Sequence, residues 1–254
     1  MALVALFVFA SCKKNTGVTN QPYEAYGTPA NKGQLKVNLA FAYAIDYANL
    51  RIKLNGAYVS NLLQSRTPFP GGGFNTRGSN FALYMSVPLG SNAVSIVMPK
   101  FGTNVDSVVL FSTNVNITDN TPQTLHLTDT AANMKSVLVR NNINNIADGM
   151  CRFNFVHLMP NVPAVDLYLN GVLMRANIPY LGASGAMDIP VGINAPGFVS
   201  GATTIWAVRA AGATSTSAAL VSFASASGLI SGGALTGFCM GYSGATGARL
   251  PFLA

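Results

Sequence analysis

Acid–base or nucleophilic catalysis needs titratable groups brought together, and this chain carries few of them. In 254 residues there are two histidines, three cysteines and eight acids, of which Glu24 is the only glutamate. The histidines, His126 and His157, lie at unrelated places in the sequence. His157 closes an alternating run, Arg152-Phe153-Asn154-Phe155-Val156-His157, where a histidine serves as a hydrogen-bonded structural group more often than as a base. His126, in Thr124-Leu125-His126-Leu127, is expected to point outward from an alternating strand. A hydrolase would require His157 and Asp166 to converge with a third group in one cleft. No Cys-x-x-Cys, His-Glu-x-x-His or calcium-loop spacing occurs, so neither a metal site nor a cofactor is expected, and the chain reads as a non-enzyme.

The cysteines suggest other roles. Cys12 ends the apolar run Met1-Ala2-Leu3-Val4-Ala5-Leu6-Phe7-Val8-Phe9-Ala10-Ser11, a signal-peptide pattern. Phe9-Ala10-Ser11-Cys12 resembles the bacterial lipobox, which implies cleavage after residue 11 and lipid attachment at Cys12 in the outer membrane. The rival reading is a buried strand with an incidental thiol. With Cys12 lipidated, Lys13 and Lys14 would lie against anionic headgroups beside the anchor. Residues 12–33, broken by Pro, Gly and Asn, read as a flexible tether of roughly 25 Å, and no acid directly after Cys12 indicates which membrane face the body occupies. Cys151 and Cys239 remain for a disulfide, or as two buried reduced thiols.

The elements that must position these groups are strands. Half the residues are hydrophobic and 9% are charged, yet no apolar run reaches the roughly 18 to 20 residues of a spanning helix. A transmembrane β-barrel also needs alternating strands, but the processing signal and an internal repeat fit it poorly. The net charge of +7 comes from scattered Lys and Arg without a dense run, which argues against nucleic acid.

That repeat organises the chain. Lys36-Val37-Asn38-Leu39 leads to Leu50-Arg51-Ile52-Lys53-Leu54-Asn55-Gly56, as Arg152-Phe153-Asn154-Phe155 leads to Val165-Asp166-Leu167-Tyr168-Leu169-Asn170-Gly171. Each ends in Asn-Gly, the strongest short hairpin signal. Met85-Ser86-Val87-Pro88 parallels Met187-Asp188-Ile189-Pro190, and further short strands follow in both halves. The spacing predicts two tandem antiparallel, immunoglobulin-like β-sandwich domains, residues 34–142 and 150–254, joined by the Asn-rich linker between them. Asp166 faces Arg51 across the repeat, so no carboxylate is shared by the two copies.

The stretch from Arg152 to Gly171, with Val156-His157, the loop Met159-Pro160-Asn161-Val162-Pro163 and then Ala164-Val165-Asp166-Leu167-Tyr168, resembles the opening of the domain-of-unknown-function family 4397. Asn161 stands where that family has an aspartate, and residues 41–49 of the first copy lack the histidine and both prolines. The resemblance implies a β-sandwich in a secreted or lipid-anchored bacterial protein, and no particular activity.

One asymmetry separates the copies. From Gly56 to Met85 is 29 positions and from Gly171 to Met187 is 16, so the first copy carries 13 extra residues around Arg66-Thr67-Pro68-Phe69-Pro70-Gly71-Gly72-Gly73-Phe74-Asn75-Thr76-Arg77. Arg66, Phe69, Phe74 and Arg77 form a candidate contact patch for a protein partner or glycan, unless the phenylalanines fold back on the sandwich. Taken together, the expected function is a membrane-anchored binding or adhesion module, with a structural subunit of a surface assembly as the alternative.

Overall fold

A computed structural model of the chain describes residues 31–41, 49–73, 82–100, 102, 107–225 and 229–254. The signal peptide, Cys12, nearly all of the tether, Phe74 and Arg77 lie outside these residues. The architecture is all-β: seventeen strands, three short 3-10 turns and four separate sheets, with no barrel among the described residues.

In the first half, β1 (Lys32–Leu39) is flanked on one side by β4 (Pro68–Phe69) and β5 (Met85–Pro88), and on the other by β8 (Pro122–Thr128) and then β9 (Lys135–Arg140). The opposite sheet runs β3 (Ala57–Tyr58), β2 (Arg51–Leu54), β6 (Gly90–Pro99), β7 (Ser107–Ile117). The second half repeats this order. One sheet is β13 (Met187–Pro190), β10 (Met150–Leu158), β16 (Ala234–Met240), β17 (Phe252–Leu253), and the other is β12 (Val172–Pro179), β11 (Ala164–Leu169), β14 (Thr204–Ala210), β15 (Val221–Ser225). Most neighbours are antiparallel, as expected of a sandwich, but β1–β8 and β10–β16 run parallel.

Local sequence explains the turns. Asn55-Gly56 and Asn170-Gly171 take positive φ at both positions, 49° and 84° in one and 49° and 80° in the other, as a type I′ hairpin demands. The first strand begins at Lys32, two residues inside the expected tether. Register corrects the repeat by two residues. Leu35 pairs with Met85 as Phe153 pairs with Met187, so β1 aligns with β10 by matching Leu35 to Phe153 rather than Val37 to Phe153. The slip escaped the sequence reading because strand side chains alternate with period two, and a two-residue shift leaves every residue on its own face.

Each half encloses its own core. Leu35, Val37, Leu39, Ile52, Ile96, Leu125 and Leu127 fill the first, and Phe155, Val165, Leu167, Leu169, Val208 and Cys239 are among those that fill the second. Volume is redistributed between the copies. Where the first has Leu35 beside β8 residue Gln123 and Leu125 two residues on, the second has Phe153 and Gly237; a Cβ on Gly237 would lie 2.6 Å from the Phe153 ring. A third apolar cluster joins the halves. It consists of Ala40 and Val139 from the first with Val156, Leu158, Phe238 and Met240 from the second.

These last residues explain a departure from simple alternation. All seven residues of β8 are buried, and β10 is buried at both faces over its last six. One face of each strand meets its own core, and the other meets the opposite half. The halves are also stitched by polar contacts: Thr128 Oγ1 donates to the Leu158 carbonyl (2.6 Å), and the Tyr242 hydroxyl donates to Asp129 (2.7 Å). On the second-half side this buried contact is made by apolar outer residues, Val156, Leu158, Phe238 and Met240, and on the first-half side by buried polar ones, among them Asn38, Thr124, His126 and Thr128.

Candidate binding cavity between the halves

Between the two halves lies a cavity of about 250 Å³. Its floor on one side is the outer face of β1 and β8, with Lys36, Asn38, Thr124 and His126, together with Tyr84. Across from it stand Asn154, Thr236 and Phe238 on the outer face of the second half, and Phe153 and Trp206 reach the wall from that half's own core. Gly72, Gly73 and Ala82, from the segment that only the first copy carries, complete the wall.

The position of that segment is set by Lys36. The residue is 7% exposed, and its ammonium donates to the carbonyls of Pro70 (2.5 Å), Gly71 (2.9 Å) and Leu83 (3.1 Å). Three N–H groups meet three carbonyls, which satisfies the ammonium completely. Without a carboxylate beside it, burial pulls its pKa down to about 8. Lys36 therefore acts as a pin that holds the base of the extra segment against the outer face of β1.

Asn141, from the linker, ties the polar part of the wall together. Its amide donates to Thr124 Oγ1 (2.9 Å) and the Tyr84 hydroxyl (3.1 Å), and its carbonyl oxygen accepts from Thr236 Oγ1 (3.1 Å). One side chain thus bridges both halves and the segment after the insertion. Burial raises the Tyr84 pKa, partly opposed by its bonds to Asn141 and Thr124, so the phenol stays neutral and able to donate.

His126 does point away from its own core, as its place in an alternating strand predicts. Yet it is 2% exposed, because that face is covered by the second half; its ring stands 5.6 Å from Phe238. The Asn38 side-chain nitrogen lies 3.0 Å from Nδ1. An amide NH₂ can only donate, so Nδ1 accepts and the proton of the neutral ring sits on Nε2. Burial drives the pKa down to about 3, so the ring is neutral at physiological pH. Nε2 has no hydrogen-bond partner among the described residues.

The other end of the cavity is aromatic. Phe153 and Trp206 stack at 4.2 Å with 12° between their planes, and Phe155 and Phe223 lie nearby in the wall. Two arginines reach the wall, each engaged elsewhere. Arg152 forks onto both oxygens of Asp188 at 2.7 Å and donates to the Asn144 carbonyl, while Arg140 pairs with Asp119 and Thr118. No acidic side chain is among the lining residues.

The residues singled out from sequence fare differently. Phe69 lies in β4, paired with Val37 and packed on the first core, so it folds back rather than presenting a contact patch. Arg66, at φ 64°, places its guanidinium 5.7 Å from the Phe252 ring and within 3.4 Å of the Leu250 carbonyl, so it braces the second half. The open edge of β1 explains the correction: it offers unpaired backbone groups, and the first residues of the insertion satisfy them. Cys151 and Cys239 are free thiols, not a disulfide. Cys239 pairs in register with His157, six residues along β10 from Cys151, which separates the two by roughly 20 Å at about 3.3 Å per residue.

His157 is structural. Its Nε2 donates to the Val162 carbonyl (2.8 Å), leaving Nδ1 to accept from the Met159 N–H (3.4 Å) and the Cys239 thiol (3.4 Å). Burial pushes that thiol up to about 12, so this is a neutral pair and no ionised nucleophile. Asp166 accepts from the backbone N–H groups of Asn177 (2.7 Å) and Gly212 (2.9 Å), fixing an irregularity in the β11–β12 register. The two residues serve separate loops and do not assemble a catalytic constellation. No group of three or more metal-ligating side chains occurs among the described residues.

The site that sequence reasoning missed is the cavity itself. Its signal was in Phe155-Val156-His157-Leu158-Met159 and Phe238-Cys239-Met240, runs apolar on both faces that mark a strand buried on both sides. No curated protein matches the chain. Residues 75–168, from the extra segment of the first half to β11 of the second, match the family model described as Domain of unknown function (DUF4397).

Proposed function

We propose that this chain is a non-enzymatic binding module of the bacterial outer membrane, built from two tandem copies of a DUF4397-type sandwich and anchored by lipid on Cys12. It holds a small ligand in the cavity between the copies. The observation that carries this reading is the wall of that cavity: the segment peculiar to the first copy is pinned over it by Lys36, and Asn141 joins both halves across it. A concave, largely apolar site with a few convergent polar groups is the usual form of a small-molecule site.

Native mass spectrometry of the full chain, solubilised from its own envelope, tests the reading. A one-to-one small-molecule adduct is expected, and Thr236→Trp, which fills the cavity, should abolish it. An adduct that persists in the variant, or none in the parent, rejects the cavity as the site. The anchor is tested separately, since Cys12→Ser should move the chain from the membrane to the soluble fraction.

A second reading, a structural subunit of a surface assembly, draws support from apolar side chains left open on the second half: Ile193 is 79% exposed, Val199 64% and Ile205 45%. Sedimentation over a concentration series separates the two, because oligomers that grow with concentration favour assembly.

A further inference from the structure

The cavity wall specifies what it will accept. Its charges are already spent: Lys36 has given all three N–H groups to carbonyls, Arg140 and Arg152 are paired with Asp119 and Asp188, and no carboxylate side chain faces the space. An ionised ligand would lose its hydration and find no unengaged counter-charge among the lining side chains. The apolar share of the wall mixes aromatic side chains, from the stacked Phe153 and Trp206 to Phe238, with aliphatic ones such as Leu167, Leu235 and Leu253. An apolar protein cavity of about 150 Å³ takes up benzene, so about 250 Å³ suits one substituted ring.

One group in this wall is unfinished. His126 is buried and neutral, its Nδ1 is committed to Asn38, and its Nε2–H has no acceptor among the described residues. A buried donor left alone is destabilising, and native structures seldom retain one without a use. The equivalent place in the second copy, fixed by the β1–β8 and β10–β16 registers, holds Phe238, so the fold does not require a donor there.

We infer that the cavity binds a small uncharged aromatic molecule bearing a hydrogen-bond acceptor, and that His126 Nε2–H is the donor that meets it. This rests on the reading of the chain as a cavity-binding module. Phe238 covers the ring from the face of the second half that meets the first, Phe153 and Trp206 bound the space from the second core, and the Tyr84 and Thr236 hydroxyls serve further polar substituents.

Four one-ring probes test this on the full chain: acetophenone, with a neutral acceptor; ethylbenzene, without one; benzoate, an anion; and benzylamine, a cation. Binding is followed by calorimetry and by the Nε2 resonance of ¹⁵N-histidine-labelled protein. Acetophenone should bind at least tenfold more tightly than each of the others and shift the His126 Nε2–H signal while leaving His157 unmoved. His126→Phe should bring acetophenone and ethylbenzene within about twofold of each other, and His126→Gln, which keeps a donor, should restore part of the preference. The wild-type resonance decides the matter even if a variant folds poorly. Equal binding of acetophenone and ethylbenzene, both blocked by Thr236→Trp, overturns the role of His126 and leaves the cavity reading standing. Tighter binding of benzoate or benzylamine overturns the neutral-ligand assignment in the same way. If none of the four binds, the ligand class falls, while the native adduct of the full chain and its loss in Thr236→Trp decide the cavity reading separately.

Discussion

Where β1 and β8 turn away from their own core, the first half places Asn38 and His126; at the matching places in β10 and β16, the second half places Val156 and Phe238. One strand order thus carries two opposite outer faces, a hydrogen-bonded polar pair in one copy and an apolar pair in the other. Packed against each other, they leave a space with a polar floor and an aromatic end, which two identical faces would not produce. Gly72, Gly73 and Ala82 of the first copy's extra segment line that space, whereas the second copy has a short connection in which Ser184 bonds Asn154.

The largest expected effect contrasts the two cores at one equivalent position. Phe155→Ala should cost about 3 to 5 kcal/mol, and Val37→Ala at the matching place about 2 kcal/mol, both read from denaturant unfolding. Equal costs would mean that the register alignment of β1 with β10 does not reflect equivalent packing.

Next in size is acid sensitivity. His126 is held at about 3 by burial, below the ordinary value of 6.5, and burial lowers His157 as well. The unfolded chain therefore binds more protons than the folded one, so stability is full above about pH 6.5 and falls as the pH drops toward 3. From His126 the loss should reach about 4 kcal/mol. Replacing it by Phe, as in the second copy, should flatten that part of the stability–pH curve; an unchanged slope would contradict its buried, neutral state.

Asp166 and Arg51 offer a contrast at a smaller scale. The buried carboxylate of Asp166 holds two backbone N–H groups, while the Arg51 guanidinium lies 3.7 Å from the Tyr58 ring centre. Asp166→Asn, which leaves one N–H facing another donor, should cost about 2 kcal/mol, and Arg51→Gln under 1 kcal/mol, by thermal unfolding. The smallest effect belongs to the exposed Arg140–Asp119 pair, half open to solvent, where Arg140→Ala should change stability by less than about 0.5 kcal/mol.

Much of the fold was legible because its signals are local. Asn55-Gly56 and Asn170-Gly171 announce hairpins through φ alone, and the strands from Gly90 to Arg140 and from Thr204 to Leu253 fall within a few residues of where alternation puts them. The cavity was not legible, because it belongs to no single strand or copy. Asn38, Thr124 and His126 occupy positions that look solvent-facing in an isolated sandwich, and only the docking of the second half buries them. Phe69 misled for a related reason: composition marks its surroundings as loop, but the free edge of β1 recruits it into β4. The two-residue offset in β1 was hidden because alternation cannot distinguish it.

Diffraction from crystals of the full chain under xenon pressure would reveal the space between the halves itself, since xenon enters apolar cavities without needing the native ligand. A xenon site is expected between the halves, beside Phe238 and His126. Halves packed tightly there, with no xenon between them, would contradict it.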